Sequence, residues 1–381
     1  MNQPPILIRP VTNRREMHAF LTFPWQVYRH DPLWVPPILA DREKQVNPDK
    51  GVFFQRGSAE FFTAWQAGYM VGTICAAIDF KANEALNKKE CVFGFFEVID
   101  NKSVAHRMLD YVRDWAAARG LTSLYGPFNL DYEDGYGILV EGRDRPAAIL
   151  CGHTPVYYQG FIENYGFAPA RGANLAFGRD LRQDLEKLEK LDLFAEKVAR
   201  KHKFSVRSAD LSRWREEVDL VYELINPCLQ HLPGHTPWQR EALQELMAPF
   251  VRLADADLIL FAEQEGRVIG FFPALPDFNE VLIHANGLRY PWDALVAWLY
   301  SRRPIRSASI KSVLVLPEFW GSGAAILLFA EMARRLREKG YEWVDLSLTS
   351  ADNPRTPQLA ERVGAHVYKR YQVYRLNIKQ A

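Results

Sequence analysis

Residues 313–340 read VLVLPEFWGSGAAILLFAEMARRLREKG. The first four favour a strand, and Pro317, with no N–H to give a sheet ladder, closes it. After a short loop, Gly321-Ser322-Gly323 opens a segment in which Ile326, Leu327, Ala330, Ala333 and Leu336 recur at helical spacing. Gly340 is placed to end that helix. Glycines at a helix start let the backbone approach a ligand closely, and the unpaired N–H groups there, reinforced by the helix dipole, make a seat for phosphate. The stretch therefore predicts a pyrophosphate-binding turn. A glycine-rich turn without a ligand is the other reading of the same residues.

Spacing separates three kinds of phosphate loop. A P-loop needs Lys-Ser/Thr after its second glycine, whereas Ala324-Ala325 follows Gly323. A Rossmann fingerprint starts almost directly after its strand and has a third glycine where this chain has Ile326, although Asp345 lies at about the distance of a ribose contact. Strand, Pro-Glu-aromatic, Gly-x-Gly-Ala and a long helix together resemble the acyl-CoA-binding loop of the GNAT acyltransferase superfamily, usually Arg/Gln-x-x-Gly-x-Gly/Ala. The resemblance implies CoA contacts at Gly321, Ser322, Gly323 and Ala324. Glu318 stands where the family has Arg or Gln.

The chain has 381 residues, too many for one typical domain, and an ordinary globular composition with 48% apolar and 24% charged residues. Its 47 basic and 46 acidic side chains leave a net charge of +1, so no global field recommends nucleic acid or an anionic membrane, and only local patches remain. The four cysteines, Cys75, Cys91, Cys151 and Cys228, lack metal-ligand spacing. With no secretory start and no apolar run long enough to span a bilayer, a soluble cytoplasmic protein is expected.

Two copies of one pattern organise the chain. Segments 59–78 and 257–275 each read as a hairpin, turning at Ala67-Gly68 and Glu265-Gly266, with a further glycine four residues on, at Gly72 and Gly270. Helices at 108–120 and 328–340 both end on glycine before a strand, and IENYGFAPA at 162–170 parallels AERVGAHVY at 360–368. The order hairpin, strand, helix, strand, helix, strand resembles GNAT in each copy. It implies an α/β protein of two tandem GNAT-like domains with mixed sheets, at 1–180 and 204–381, joined by an amphipathic helix at 181–203. FPWQVYRHDPLWVPP, FGFFEVID and YYQGFIENYGF are similar to stretches of a bacterial family of two-copy GNAT proteins. In the proline-rich stretch after residue 30, Leu33 and Trp34 predict a loop packed across its domain.

The copies differ where ligands would bind. Strand 92–99 corresponds to 313–316, but residues 100–104 carry no glycine, and Asn101 or Ser103 reads as a helix cap. The interval from Gly120 to Gly166 is 46 positions against 24 from Gly340 to Gly364, so the first copy carries an insertion, centred on 130–152, of about 22 residues. It holds Asp131, Glu133, Asp134 and Glu141, followed by His153 and the pair Tyr157-Tyr158. Its acids form either a functional loop or a solvated turn.

The resemblance implies acetyl-CoA or another acyl-CoA as co-substrate and an N-acyltransferase acting on a small amine-bearing acceptor. CoA is expected on the second copy. Backbone N–H groups of Val313, Leu314 and Val315 would hold the thioester oxygen, and Asn353 matches a family Asn. Where the family usually has its acidic Tyr this chain has Ala360, with Ile162 in the other copy, so Tyr368 is the candidate acid. Residues 309–316 contain no acid, so His284, read as part of a strand, is the candidate base; a structural histidine in a sheet is its alternative. His231, His235, Trp238 and Tyr158 are candidate acceptor contacts. Pro233 and Gly234 prevent a helical metal site between the two histidines, and no metal is expected. A GNAT fold that binds acyl-CoA or a small ligand without turnover is the second reading.

Overall fold

The computed structural model describes residues 4–131, 137–231, 237–248, 251, 254–353 and 355–378. In the first half the strands are β1 Ile6–Pro10, β2 Gly57–Gln66, β3 Tyr69–Asp79, β4 Glu90–Val98, β5 Ser123–Gly126, β6 Ile138–Glu141, β7 Ala168–Pro169 and β8 Asn174–Asp180. In the second they are β9 Phe204–Ser208, β10 Ile259–Gln264, β11 Arg267–Pro276, β12 Ser307–Ile310, β13 Leu314–Val315, β14 Trp343–Ser350, β15 His366–Gln372 and β16 Tyr374–Asn377. They form two mixed sheets.

Both hairpins fold as the sequence predicts. Ala67-Gly68 and Glu265-Gly266 all have positive φ, which suits a two-residue turn whose twist matches its strands. The repeated glycine has a packing reason in each copy. A Cβ on Gly72 would strike Met108 of helix Lys102–Ala117, and one on Gly270 would lie 3.2 Å from Leu328 of helix Ala324–Glu338. Each central helix can therefore lie close to its sheet. Val104, Met108, Leu109, Val112 and Trp115 bury one helix face in the first core, while Leu327, Leu328, Met332 and Leu336 do so in the second. Helix Leu185–His202 lies against helix Ala324–Glu338 and adds Ala195 and Val198 to the second core.

The last strands of the two copies are exchanged. β8 sits between β14 and β15 of the second sheet, and β16 between β5 and β7 of the first. Val373 alone separates β15 from β16, so the chain crosses between sheets at one buried residue. The insertion contributes too: β6 pairs with β15 at the edge of the second sheet. The sheets thus do not follow the sequence boundaries at 180 and 204. A pattern shared by two copies cannot say which copy's neighbour a strand will choose.

One expected strand is absent. After Pro276 the chain leaves the sheet, because the Asp277 carboxylate accepts the Asn279 N–H at 3.1 Å and turns it into helix Asn279–Leu282. A turn at Asn286–Leu288 and helix Pro291–Ser301 follow.

Candidate active site

The glycine loop follows β13. A 3₁₀ turn at Pro317–Phe319 leads to Gly321 and Gly323, with φ of +82° and +95°, and then to helix Ala324–Glu338. Both glycines occupy the left-handed region, and a Cβ on Gly323 would also approach Val198 to 2.9 Å. Ser322 ties the loop, donating its hydroxyl to the Phe319 carbonyl at 2.7 Å and accepting the Ala324 N–H at 3.3 Å. Glu318, the residue that departs from the family pattern, is paired with Arg267 at 2.8 Å, which offsets its charge. Arg355 stacks 4.1 Å over Trp320, leaving a second cation at the loop. The loop therefore offers helix N–H groups and guanidinium charge to an anion.

Beside the loop, the second sheet opens. β12 pairs in parallel with β14 at Ser307, Ala308 and Ser309, and then the strands diverge. Ile310 faces Ala274 and Leu314 faces Phe271, so four steps on one strand oppose three on the other and residues 311–313 stand outside the ladder. A cavity of about 60 Å³ lies in the opening, between Lys311, Ser312 and Val313 on one wall and Leu346, Ser347 and Leu348 on the other. Leu314 and Val315 are buried and paired with β11, so of the three predicted backbone contacts only Val313 lines the cavity. Asn353 accepts the Arg355 and Thr356 N–H groups and starts helix Thr356–Arg362 at its edge. Ala360, in the place of the family Tyr, is a wall residue without a hydroxyl.

The corresponding opening in the first sheet is filled by the chain itself. β4 and β5 pair only from Glu90 to Val92, after which Phe128 donates its N–H to the Phe93 carbonyl at 2.8 Å and the Asn129 side chain accepts the Phe95 N–H at 2.8 Å. Asn101 caps the following helix through the Ser103 and Val104 N–H groups.

At the second opening lies a buried polar cluster. Asp345 accepts from Ser309 at 2.5 Å, Ser347 at 2.6 Å, Tyr368 at 2.8 Å and Lys311 at 3.3 Å. Lys311 also donates to Ser347 at 2.8 Å and lies 3.7 Å from the Cys151 sulfur, which is 3.3 Å from the Ser347 hydroxyl. Burial alone would lower the lysine pKa, but the acidic groups Cys151, Asp345 and Asp277 outweigh it and hold the ammonium above its ordinary value. Burial pushes the Cys151 thiol and the Tyr368 phenol up, with Asp345 adding to both. Tyr368, predicted from the last strands, therefore belongs to this cluster as a donor to Asp345.

Cys151 also lines a second, larger cavity of about 130 Å³ in the first half, with Glu97, His153, Trp34, Phe95 and Arg42 on its walls. Glu97 comes from β4. Burial raises its carboxyl to about 7, against the opposing hydrogen bonds of Tyr158 and Tyr28. Tyr158 donates its hydroxyl to Glu97 at 2.8 Å and accepts the Val98 N–H. His153 is held by Asp31 at 2.7 Å, with burial lowering its pKa against that carboxylate. Trp34 stacks on Tyr28 at 4.8 Å and meets Trp25 edge-on, so the proline-rich loop packs across its domain as predicted and roofs this chamber.

Other sequence candidates fall elsewhere. His284 is not in a strand: it follows helix Asn279–Leu282, is exposed, stacks on Tyr300 at 3.8 Å and lines neither cavity. The cause is the turn at Asp277, which takes this segment out of the sheet. His231 lies edge-on to Trp320 at 5.0 Å, beside the glycine loop. Trp238 is tied to Asn226 and packs on helix Trp214–Leu229. His235, with Glu133 and Asp134, lies outside the described residues. Sequence reasoning missed Glu97, although FFEVID placed an acid on the first copy's equivalent strand; the search for a base covered only the strand beside the glycines.

Two interlocked sheets, each crossed by its own central helix, with a glycine loop beside an opened parallel pair, are the fold of tandem GNAT proteins. Residues 218–365 match the family model described as the acetyltransferase (GNAT) family. A tandem GNAT protein from the clavulanic acid biosynthesis pathway has the same fold, with a TM-score of 0.58 over 99% of this chain and 100% of that one at 13% identity. A GCN5-related N-acetyltransferase from Sphaerobacter thermophilus gives 0.54 over 99% and 96%, also at 13% identity. By sequence the chain is 29% identical over 371 residues to the bacterial ceramide synthase of Caulobacter vibrioides (strain NA1000 / CB15N), covering 96% of each. It is 27% identical over 380 residues to protein YghO of Escherichia coli (strain K12), covering 98% of this chain and 95% of that one. Fold and relatives support an acyl-CoA N-acyltransferase in general.

Proposed function

We propose that this protein joins an acyl group from acyl-CoA to an amine, with CoA on the second copy and the amine in the chamber of the first. The observation that carries this reading is the junction at Cys151. That residue lines the Glu97 chamber and touches Lys311 and Ser347, which line the opening beside the glycine loop.

In this reading the pyrophosphate rests on the turn at Gly321–Gly323, and the thioester reaches the unladdered residues 311–313, where a backbone N–H polarises its carbonyl. Glu97 takes a proton from the ammonium, directly or through water, and the freed nitrogen attacks the thioester carbon. The C–N bond forms and the C–S bond breaks; the Lys311 ammonium protonates the departing thiolate and regains the proton that the nitrogen sheds on becoming an amide, while Glu97 returns its proton to water. Asp345, Ser347 and Tyr368 hold that ammonium in place. The name of the Caulobacter relative favours a long-chain amino alcohol as acceptor, ceramide being an amide of that class. The apolar lining of the chamber by Phe20, Leu21 and Phe95 suits such a molecule.

The test is release of free thiol from acetyl-CoA and from a long-chain acyl-CoA in the presence of long-chain and short polar amines. Thiol release that depends on one amine class, with the amide found by mass spectrometry, is the expected result. No release with any pair, alongside measurable acyl-CoA binding, would favour a fold that binds without turnover, the reading supported by Ala360 and Glu318.

A further inference from the structure

Helix Pro291–Ser301, PWDALVAWLYS, presents an exposed apolar face that has no partner among the described residues. Trp292 is 61% exposed, Leu295 58%, Trp298 51% and Leu299 52%. Their spacing puts them along one side of the helix. Its single charged residue, Asp293, is turned inward and spent on the helix start, accepting the Tyr290 N–H at 3.0 Å and the Asn286 amide at 3.3 Å. No polar side chain breaks the outer face between Trp292 and Leu299.

Cations frame this face. Arg302 lies 4.0 Å over Trp298, Arg303 lies 4.2 Å over Tyr300, and Arg289 lies between Trp25 and Tyr290. None of the three makes a salt bridge among the described residues. Tryptophan and leucine rimmed by arginine is the chemistry of a helix lying in the headgroup layer of an anionic bilayer, with the apolar residues immersed and the guanidinium groups on lipid phosphates. No helix among the described residues is long and apolar enough to cross a membrane. The balanced net charge, which predicts no membrane partner, hides this local patch.

We infer that helix Pro291–Ser301 docks the protein on the surface of an anionic phospholipid membrane. Its position adds a purpose. The turn before the helix is fastened to the chamber roof: Trp25 donates its indole N–H to Asn286 at 2.8 Å and meets Trp34, and a Cβ on Gly287 would strike Trp25 and the Pro37 carbonyl. Trp34 and Pro37 line the chamber itself. Docking thus brings the acceptor chamber against the lipid, a consequence that rests on the acyltransferase reading, whereas docking itself does not.

Vesicle flotation of the full chain tests the inference without any turnover. Wild type is expected to float with vesicles rich in phosphatidylglycerol and to bind pure phosphatidylcholine at least about tenfold more weakly, with added salt releasing it. The Trp292→Ser/Leu295→Ser/Trp298→Ser and Arg302→Glu/Arg303→Glu variants should each lose about tenfold or more in partitioning while keeping the wild-type melting profile and acetyl-CoA affinity. Absence of flotation by the wild type overturns the proposal, as does equal flotation by folded variants. A wild-type dimer that the serine variant dissolves, without vesicle binding, would overturn it in favour of a second copy on this face. Failure of acyl-CoA binding with flotation intact would count against the acyltransferase reading alone.

Discussion

Lys311 reaches Asp345 from the neighbouring strand, its Nζ 3.3 Å from Oδ2, where β12 and β14 have just parted. Asp345 is 1% exposed, so the pair stands in a largely dry setting and each member depends on the other. Removing one partner of such a pair typically costs about 3–5 kcal/mol, because the remaining charge is left uncompensated. The hydroxyls of Ser309, Ser347 and Tyr368 soften the loss on the Asp345 side. Lys311→Met should therefore destabilise by about 3 kcal/mol, at the low end of that range, and slow thiol release far more than it weakens acyl-CoA binding. Chemical denaturation and the split between kcat and KM check both parts. Retained kcat would remove Lys311 from the thiolate step.

Glu97 carries a pH prediction. Its carboxyl is raised from 4.5 to about 7 by burial, so between these values the unfolded chain has lost the proton and the folded one keeps it. Stability must then fall as pH rises from about 4.5 to 7 and level off above, by about 3 kcal/mol for this group. Glu97→Gln, which keeps the shape and the neutral form, should gain stability on wild type across that window. Its kcat/KM should be about 10²–10⁴ lower and lose a rising limb near pH 7. Parallel denaturation and rate profiles for the two proteins are the measurement; Asp277, also raised to about 7, cancels in the difference.

Gly321 has φ of +82° in open space, so a side chain there meets strain and not collision. Gly321→Val should cost about 1–2 kcal/mol of backbone strain and abolish acetyl-CoA binding. Ser103→Ala, in the glycine-free loop of the first copy, should leave affinity within about threefold, under roughly 0.7 kcal/mol. Isothermal titration should give one CoA per chain. A stoichiometry of two, or weaker binding in Ser103→Ala than in Gly321→Val, would reverse the division between the copies.

The exchanged strands predict how the chain can be cut. Residues 1–203 alone would leave β5 and β7 without β16 between them, and 204–381 alone would leave β14 and β15 without β8. Each half then exposes unpaired strand edges within a sheet. Expressed separately, neither should melt cooperatively, whereas co-expressed halves should purify together as a folded pair. A cooperative transition from either half alone would contradict this.

Local chemistry accounts for what was legible. The hairpins at Ala67-Gly68 and Glu265-Gly266, the central helices, the Asn101 cap and the loop at Gly321 and Gly323 are all set by turn residues and periodicity within a few positions. The sequence alone therefore determined the two-copy pattern, the GNAT order and which copy carries the glycine turn. Long-range proximity was not legible, since no local signal says that Cys151 of the insertion meets Lys311 of the other copy, or that Tyr158 meets Glu97. The segment around His284 carries apolar residues that suit a strand, and a carboxylate at Asp277 overrode them. Strand exchange is the extreme case, because backbone N–H and C=O groups are the same in every strand and do not distinguish one sheet's edges from the other's. Only the packing of whole sheets, with Tyr371 and Tyr374 buried on either side of Val373, decides which sheet each strand enters and sets Cys151 of one cavity wall against Lys311 and Ser347 of the other.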